Sequence, residues 1–255
     1  MISLPELAAA AAILGVASTL QGAVGFGMGL FSIPLLVWSG FPLPQAVAML
    51  VGASFAQTAY GTYREREWVN WRLTLPIAAM QWLFIPLGVL SMSYLVRADG
   101  DVVKQAIGLA VIVAVTARLL IRPEPRDEVG AGWAALAGSV SGFIGGLVGM
   151  GGPPLVFFAL AHRWEKDRFR AFLWSQFFLA TPVIVIALCF RFGLELLELF
   201  AIGLATAPVL VVGTRVGLAI THRWNAGRLS IAVVALLYVI GLSSVLGPYL
   251  AELAR

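Results

Sequence analysis

The charged residues of this chain stand almost entirely in the gaps between eight long apolar stretches, at about 5–38, 43–60, 73–96, 102–121, 131–161, 171–190, 199–221 and 229–250. Helices packed in water carry charge along one face; here nearly all the charge stands in the loops instead. Composition agrees: 60% of the 255 residues are apolar and 12% charged, with a mean hydropathy of +0.92, against roughly 25% charged in soluble domains. So few charges cannot cover a globule. An ordinary cytosolic enzyme, a disordered chain and a nucleic-acid binder are excluded, and an integral membrane protein remains. The net charge of +4 comes from basic residues between apolar stretches, where membrane orientation demands them. It implies no nucleic-acid partner.

Other side chains narrow the field. The single cysteine, Cys189, excludes a disulfide framework and reads as a small packing residue in the apolar run Val183–Phe190. His162 and His222 lie in basic loops, and no HExxH, CxxC or carboxylate–histidine cluster occurs, so no metal or other cofactor is expected. The segment Met1–Glu6 lacks a basic leader region, and the apolar stretch after it exceeds a signal sequence. The first hydrophobic element is therefore expected to stay in the protein.

The two halves resemble each other. Gly22-x-x-Gly25-x-Gly27 recurs 124 residues later as Gly146-x-x-Gly149-x-Gly151. Proline follows each copy, Pro34 in one half and Pro153 and Pro154 in the other, and three more apolar elements come after. The polar break Arg122–Gly130 separates the halves. An internal duplication accounts for this, with repeats at 1–121 and 131–255 and a cytoplasmic linker at 122–130.

Each repeat opens with an element of awkward length. The 31 residues of 131–161 would extend about 46 Å as one straight helix, too long for one crossing of a hydrocarbon core about 30 Å thick and too short for two. The same holds for 5–38. The central glycines predict a helix broken there, forming a hairpin that enters the membrane and returns. If each broken element crossed once, the 17 Lys and Arg would divide eight to nine between the two sides. If each returns, 13 share one face (Arg64, Arg66, Arg72, Arg118, Arg122, Arg126, Arg163, Lys166, Arg168, Arg170, Arg215, Arg223 and Arg228) and Arg97, Lys104, Arg191 and Arg255 the other. Basic residues gather in cytoplasmic loops, which favours returning hairpins. The halves are then inverted, because each contributes an odd number of crossings. Trp38, Trp68, Trp71, Trp133, Trp164 and Trp224 fall near element ends, as interfacial belts do, whereas Trp82 and Trp174 lie deeper, to pack or to line a cavity.

The expected fold is an all-α membrane protein of two inverted-topology repeats, each a glycine-broken helical hairpin plus three transmembrane helices. Broken backbone inside a membrane is tolerated only against protein or a water-filled cavity, so the two breaks are expected to face each other. Freed N–H groups at the start of a second leg make a partial positive end suited to an anion. Gly142-x-x-x-Gly146 and Gly25-x-x-x-Gly29 also fit simple helix packing. Two copies in over-long elements, each followed by proline, favour an anion site. No Lys-Ser/Thr follows either motif, which excludes a soluble phosphate loop.

These features resemble the TauE/SafE family of sulfite and organosulfonate permeases. Gly22-x-x-Gly25-x-Gly27-x-Gly29 is similar to the family's first glycine motif, and Gly146-x-x-Gly149-x-Gly151-Gly152-Pro153 to its second. The first departs from the family's three consecutive glycines at Gly27-Met28-Gly29, and Ala46-Val47-Ala48 continues as Met49-Leu50-Val51 where the family often places a serine. The resemblance implies transport of a small sulfur-containing or carboxylated anion across the cytoplasmic membrane by a multi-pass secondary transporter with alternating access.

Polar residues inside apolar elements are costly and therefore functional candidates. Gln21, Ser54, Gln57, Ser175 and Gln176 join Gly22, Gly25, Gly27, Gly29, Gly146, Gly149, Gly151 and Gly152 as the expected anion site, with Gln81 a weaker choice. Ser54 and Gln57 share a helix face, and Ser175 and Gln176 hold the corresponding place in the other half. Interhelical hydrogen bonding is the alternative role for each. Arg118 and Arg215, near cytoplasmic ends, either snorkel or guide an anion. The expected partners are a small anion, the bilayer and a possible coupling ion. A membrane-embedded enzyme would need a nucleophile, paired carboxylates or metal ligands at membrane depth, and none is there. An anion channel on the same scaffold stays open, as do direction, coupling ion and oligomeric state.

Overall fold

A computed structural model describes residues 3–24, 27–120, 124–127, 129–223 and 226–253. Gly25, Arg122, Trp224 and Arg255 lie outside the described residues. All eight apolar stretches are helical. The first over-long stretch is broken into α1 (Leu4–Val24) and α2 (Met28–Trp38), and the second into α6 (Ala131–Val148) and α7 (Gly152–Leu160). The legs are unequal. The 21 residues of α1 and 18 of α6 reach about 32 and 27 Å, while α2 and α7, with 11 and nine, reach about half that.

The broken elements are followed by α3 (Leu43–Arg64), α4 (Trp71–Leu95) and α5 (Gly100–Leu120) in the first half, and by α8 (Lys166–Phe192), α9 (Leu196–Ala205) with α10 (Ala207–Arg223), and α11 (Ala226–Leu253) in the second. The stretch at 199–221, read from sequence as one element, is bent by 48° between α9 and α10. Pro208 stands in the first turn of α10, where its missing N–H costs nothing, and so favours a fresh helix start at Ala207. Among the described residues, six helices are long and apolar enough to cross a membrane, or seven if the bent pair is one span. Large apolar side chains such as Leu83, Leu109, Ile186, Phe190 and Val212 are exposed on the outside, as a lipid-facing surface requires.

The second hairpin folds back on itself. Past Val148 the chain returns along α6, so that the Ser141 hydroxyl donates to the Gly151 carbonyl at 2.6 Å. Its two ends meet: the Arg126 amide donates to the Ala161 carbonyl at 2.8 Å, and the Arg163 amide to the Arg126 carbonyl at 3.1 Å. The α3–α4 loop joins the same end of the molecule through Glu65, which Arg170 pairs at 2.7 Å. Burial pushes the Glu65 carboxyl above its ordinary range, and the Arg170 charge only partly offsets this.

The halves exchange helices. α4 packs on α6 and α8 of the other half, α9 and α10 pack on α3 and α1, and α5 pairs with α11. Glycine makes both exchanges close. A Cβ on Gly138, Gly142 or Gly146 would fall 2.6, 2.5 or 2.3 Å from the carbonyl oxygens of Ile77, Gln81 and Ile85 on α4. Opposite them, a Cβ on Gly22 would fall 2.6 Å from the Thr214 carbonyl on α10, and one on Gly217 would fall 2.2 Å from that of Thr19. Without a hydrophobic drive between helices in lipid, such backbone contact is what holds them together.

Candidate functional site

The two breaks meet. A Cβ on Gly29 would lie 2.9 Å from the Gly149 carbonyl oxygen, so the start of α2 rests directly on the second break. Gly27 (φ 101°) and Gly149 (φ 73°) hold left-handed backbone, which only glycine adopts without strain. Gly27 precedes the first residue of α2 and Gly149 follows the last of α6. These two positions do not correspond in the repeat, where Gly27 matches Gly151.

A cavity of about 130 Å³ lies against this contact, far above the ~10–15 Å³ one water needs. Of the expected residues, Gln21, Gly27, Gly29, Ser54, Gln57, Gly149, Gly151 and Gly152 line it. Gly22, Gly146, Ser175 and Gln176 do not. Gly22 and Gly146 serve the helix exchange instead. Ser175, fully buried, donates to the Phe172 carbonyl within its own helix at 2.9 Å. Gln176 Nε2 donates to the Thr74 carbonyl on α4 at 3.0 Å. Its counterpart Gln57 makes the same reach across the halves, donating from Nε2 to the Thr214 hydroxyl on α10 at 3.0 Å, and still faces the cavity. Neither deep tryptophan is part of the lining: Trp82 Nε1 donates to the Leu179 carbonyl at 2.8 Å, and the Trp174 ring covers Gly61.

Other lining residues come from helices remote in sequence. Gln81 of α4, Ser141 of α6, Arg118 of α5, Thr58 of α3 and Thr181 of α8 supply polar groups. Gln81 was visible as a polar residue in an apolar run, and Arg118 as a cation close to one. Ser141 carried no signal beyond its place in a glycine-rich helix. Arg215 is exposed and away from the cavity.

Two sources of positive potential converge here. The first-turn amides of Met28, Gly29 and Leu30 have no acceptor within α2, and no side chain caps them; this is the partial positive end of the helix. Arg118 is the one charged residue lining the cavity among the described residues. Gln57, Thr58 and Arg118 stand within about two turns of the ends of α3 and α5, at the end of the molecule where Glu65 meets Arg170. The cavity thus runs from the breaks toward that end. Among the described residues, α9, α10 and α11 contribute nothing to it. The arrangement can desolvate a small anion and hold it without a metal-ligand cluster, and no such cluster exists among the described residues.

Comparison with known proteins points the same way. The profile of the family described as sulfite exporter TauE/SafE matches residues 9–244. The probable sulfite/organosulfonate exporter TauE of Cupriavidus necator is 24% identical over 208 residues, covering 81% of this chain and 80% of that protein. No solved structure matches at a significant level. The chain belongs to the TauE/SafE family and is a multi-pass membrane transport protein rather than an enzyme.

Proposed function

We propose that this member of the TauE/SafE family is a carrier for sulfite or a small organosulfonate, which it binds where the two glycine breaks meet. The observation that carries the reading is the contact of Gly29 with Gly149 beside a cavity that holds the uncapped start of α2 and the Arg118 guanidinium. Backbone amides and one guanidinium suit a tetrahedral or pyramidal oxyanion, whose oxygens each accept more than one hydrogen bond. Sulfite and organosulfonate are also the substrates named for the Cupriavidus relative.

Alternating access about two inverted repeats, 1–121 and 131–255 joined by the linker 122–130, is the proposed mechanism. Its supports are the returning second hairpin, the mutual exchange of α4 for α9 and α10, and a cavity lined, among the described residues, by α1 to α8. On a scaffold whose halves match, a cavity that reaches toward one side is what one of two interchangeable states presents. With the basic loops cytoplasmic, this state opens toward the cytoplasm.

Flux of sulfite in proteoliposomes tests the reading. A carrier saturates and shows trans-stimulation, and Arg118→Gln raises KM about ten-fold, the loss of one charge-assisted contact. Unsaturable conductance would mean a channel, and absence of flux for sulfite and organosulfonates alike would overturn the anion reading.

A further inference from the structure

One hydrogen-bond chain in the cavity wall has a defined direction. The Gly151 carbonyl can only accept, so the single proton of the Ser141 hydroxyl is committed to it at 2.6 Å. Ser141 Oγ must then accept from Gln81 at 3.0 Å, which places Gln81 Nε2 toward Ser141. The amide cannot turn over without opposing two acceptors. Its backbone is held as well, since Gly142 admits the Gln81 main chain at a distance no side chain would allow. Gln81 Oε1 is thereby fixed as an acceptor, buried and without a partner among the described residues, on a side chain 2% exposed that lines the cavity. A buried acceptor left unsatisfied is costly, and an anion's own oxygens cannot satisfy it.

We infer that Gln81 Oε1 accepts a hydrogen bond from the transported anion itself, and so selects anions that carry an O–H group: hydroxyalkanesulfonates, or an oxyanion in its singly protonated form. The inference rests on the anion-carrier reading and deepens it. The negative end of such a ligand meets the α2 amides and Arg118, while its hydroxyl meets a fixed acceptor on α4. A site built to hydrogen-bond a hydroxyl discriminates against an analogue lacking it, because the buried protein group is then left alone.

The test uses two sulfonates of matched size, 2-hydroxyethanesulfonate and propane-1-sulfonate, bound to the purified protein in detergent and followed by calorimetry. Apolar burial alone favours the propyl compound. The inference requires the hydroxy compound to bind at least about ten-fold more tightly, and Gln81→Leu to bring the ratio of the two affinities to about one or below. Ser141→Ala, which frees the amide to turn, narrows the preference and serves if Gln81→Leu does not fold. Equal affinities, or a propyl preference, in the unaltered protein would overturn the inference while leaving the carrier reading intact. Binding of neither compound, with sulfite also unbound, would overturn both.

Discussion

At the first break, α2 starts on the left-handed Gly27 and opens with Met28, Gly29 and Leu30, three residues that each carry an N–H. At the second, α7 starts on Gly151 and opens with Gly152, Pro153 and Pro154, of which only Gly152 has an N–H to offer. The second break instead spends its polar groups on itself: the Gly151 carbonyl takes the Ser141 hydroxyl, and the Gly149 carbonyl faces Gly29. One recurring motif therefore leaves free first-turn amides in one half and almost none in the other. Symmetry of sequence sets where the chain breaks. What each break presents depends on the residues that fill the turn.

The first glycine of each motif is where the comparison predicts no difference, and the largest effect. Gly22→Val and Gly146→Val both place a side chain into the backbone of the exchanged helix, at Thr214 and Ile85. Overpacking usually costs about 1–3 kcal/mol, and here nothing soft can yield, so both variants are expected to lose the folded protein in detergent, as read by size-exclusion profile and thermal melt. A folded, transporting Gly146→Val would show that α4 and α6 are not held as described, and would remove the equivalence of the halves.

The roles of the glycines explain how far the sequence could be read. Repeat spacing located both breaks, and the lengths of 5–38 and 131–161 are the ground for expecting each to turn back. Spacing alone did not separate Gly22 and Gly146, which touch a helix of the other half, from Gly29 and Gly149, which touch each other; that distinction depends on neighbours far away in the chain. The same limit hid Ser141, whose partners are Gln81, 60 residues earlier, and a carbonyl ten residues later. Ser175 and Gln176 lie off the cavity for a related reason. Polarity in an apolar helix marks a buried partner, and only three-dimensional packing decides whether that partner is another helix or a ligand.

Proline at the start of a helix removes an amide without breaking the helix, which gives a direct way to convert one break into the other. Met28→Pro makes the first turn of α2 resemble that of α7. Met28 is also buried, so Met28→Ala is the control for lost packing. Relative to that control, Met28→Pro is expected to weaken sulfite binding by about ten- to a hundred-fold, the range for a hydrogen bond to a charged group. Pro153→Ala, which restores an amide to α7, is expected to change affinity less than two-fold, because the second break does not supply the donors. Equal losses from Met28→Pro and Met28→Ala would place the anion elsewhere in the cavity.

The smallest difference lies between the paired glutamines, and it separates scaffold from site most cleanly. Gln57 and Gln176 each reach from the first long helix after a hairpin to the exchanged helix of the other half, to Thr214 and Thr74. As interhelical hydrogen bonds each is worth roughly 0.6 kcal/mol, so Gln57→Leu and Gln176→Leu should lower the melting temperature alike, by on the order of 2 °C. Only Gln57 faces the cavity, so Gln57→Leu alone should also shift the KM for sulfite, about three- to ten-fold. If both variants shift KM equally, the effect travels through the helix exchange, and the asymmetry between the two halves is one of conformation rather than of binding chemistry.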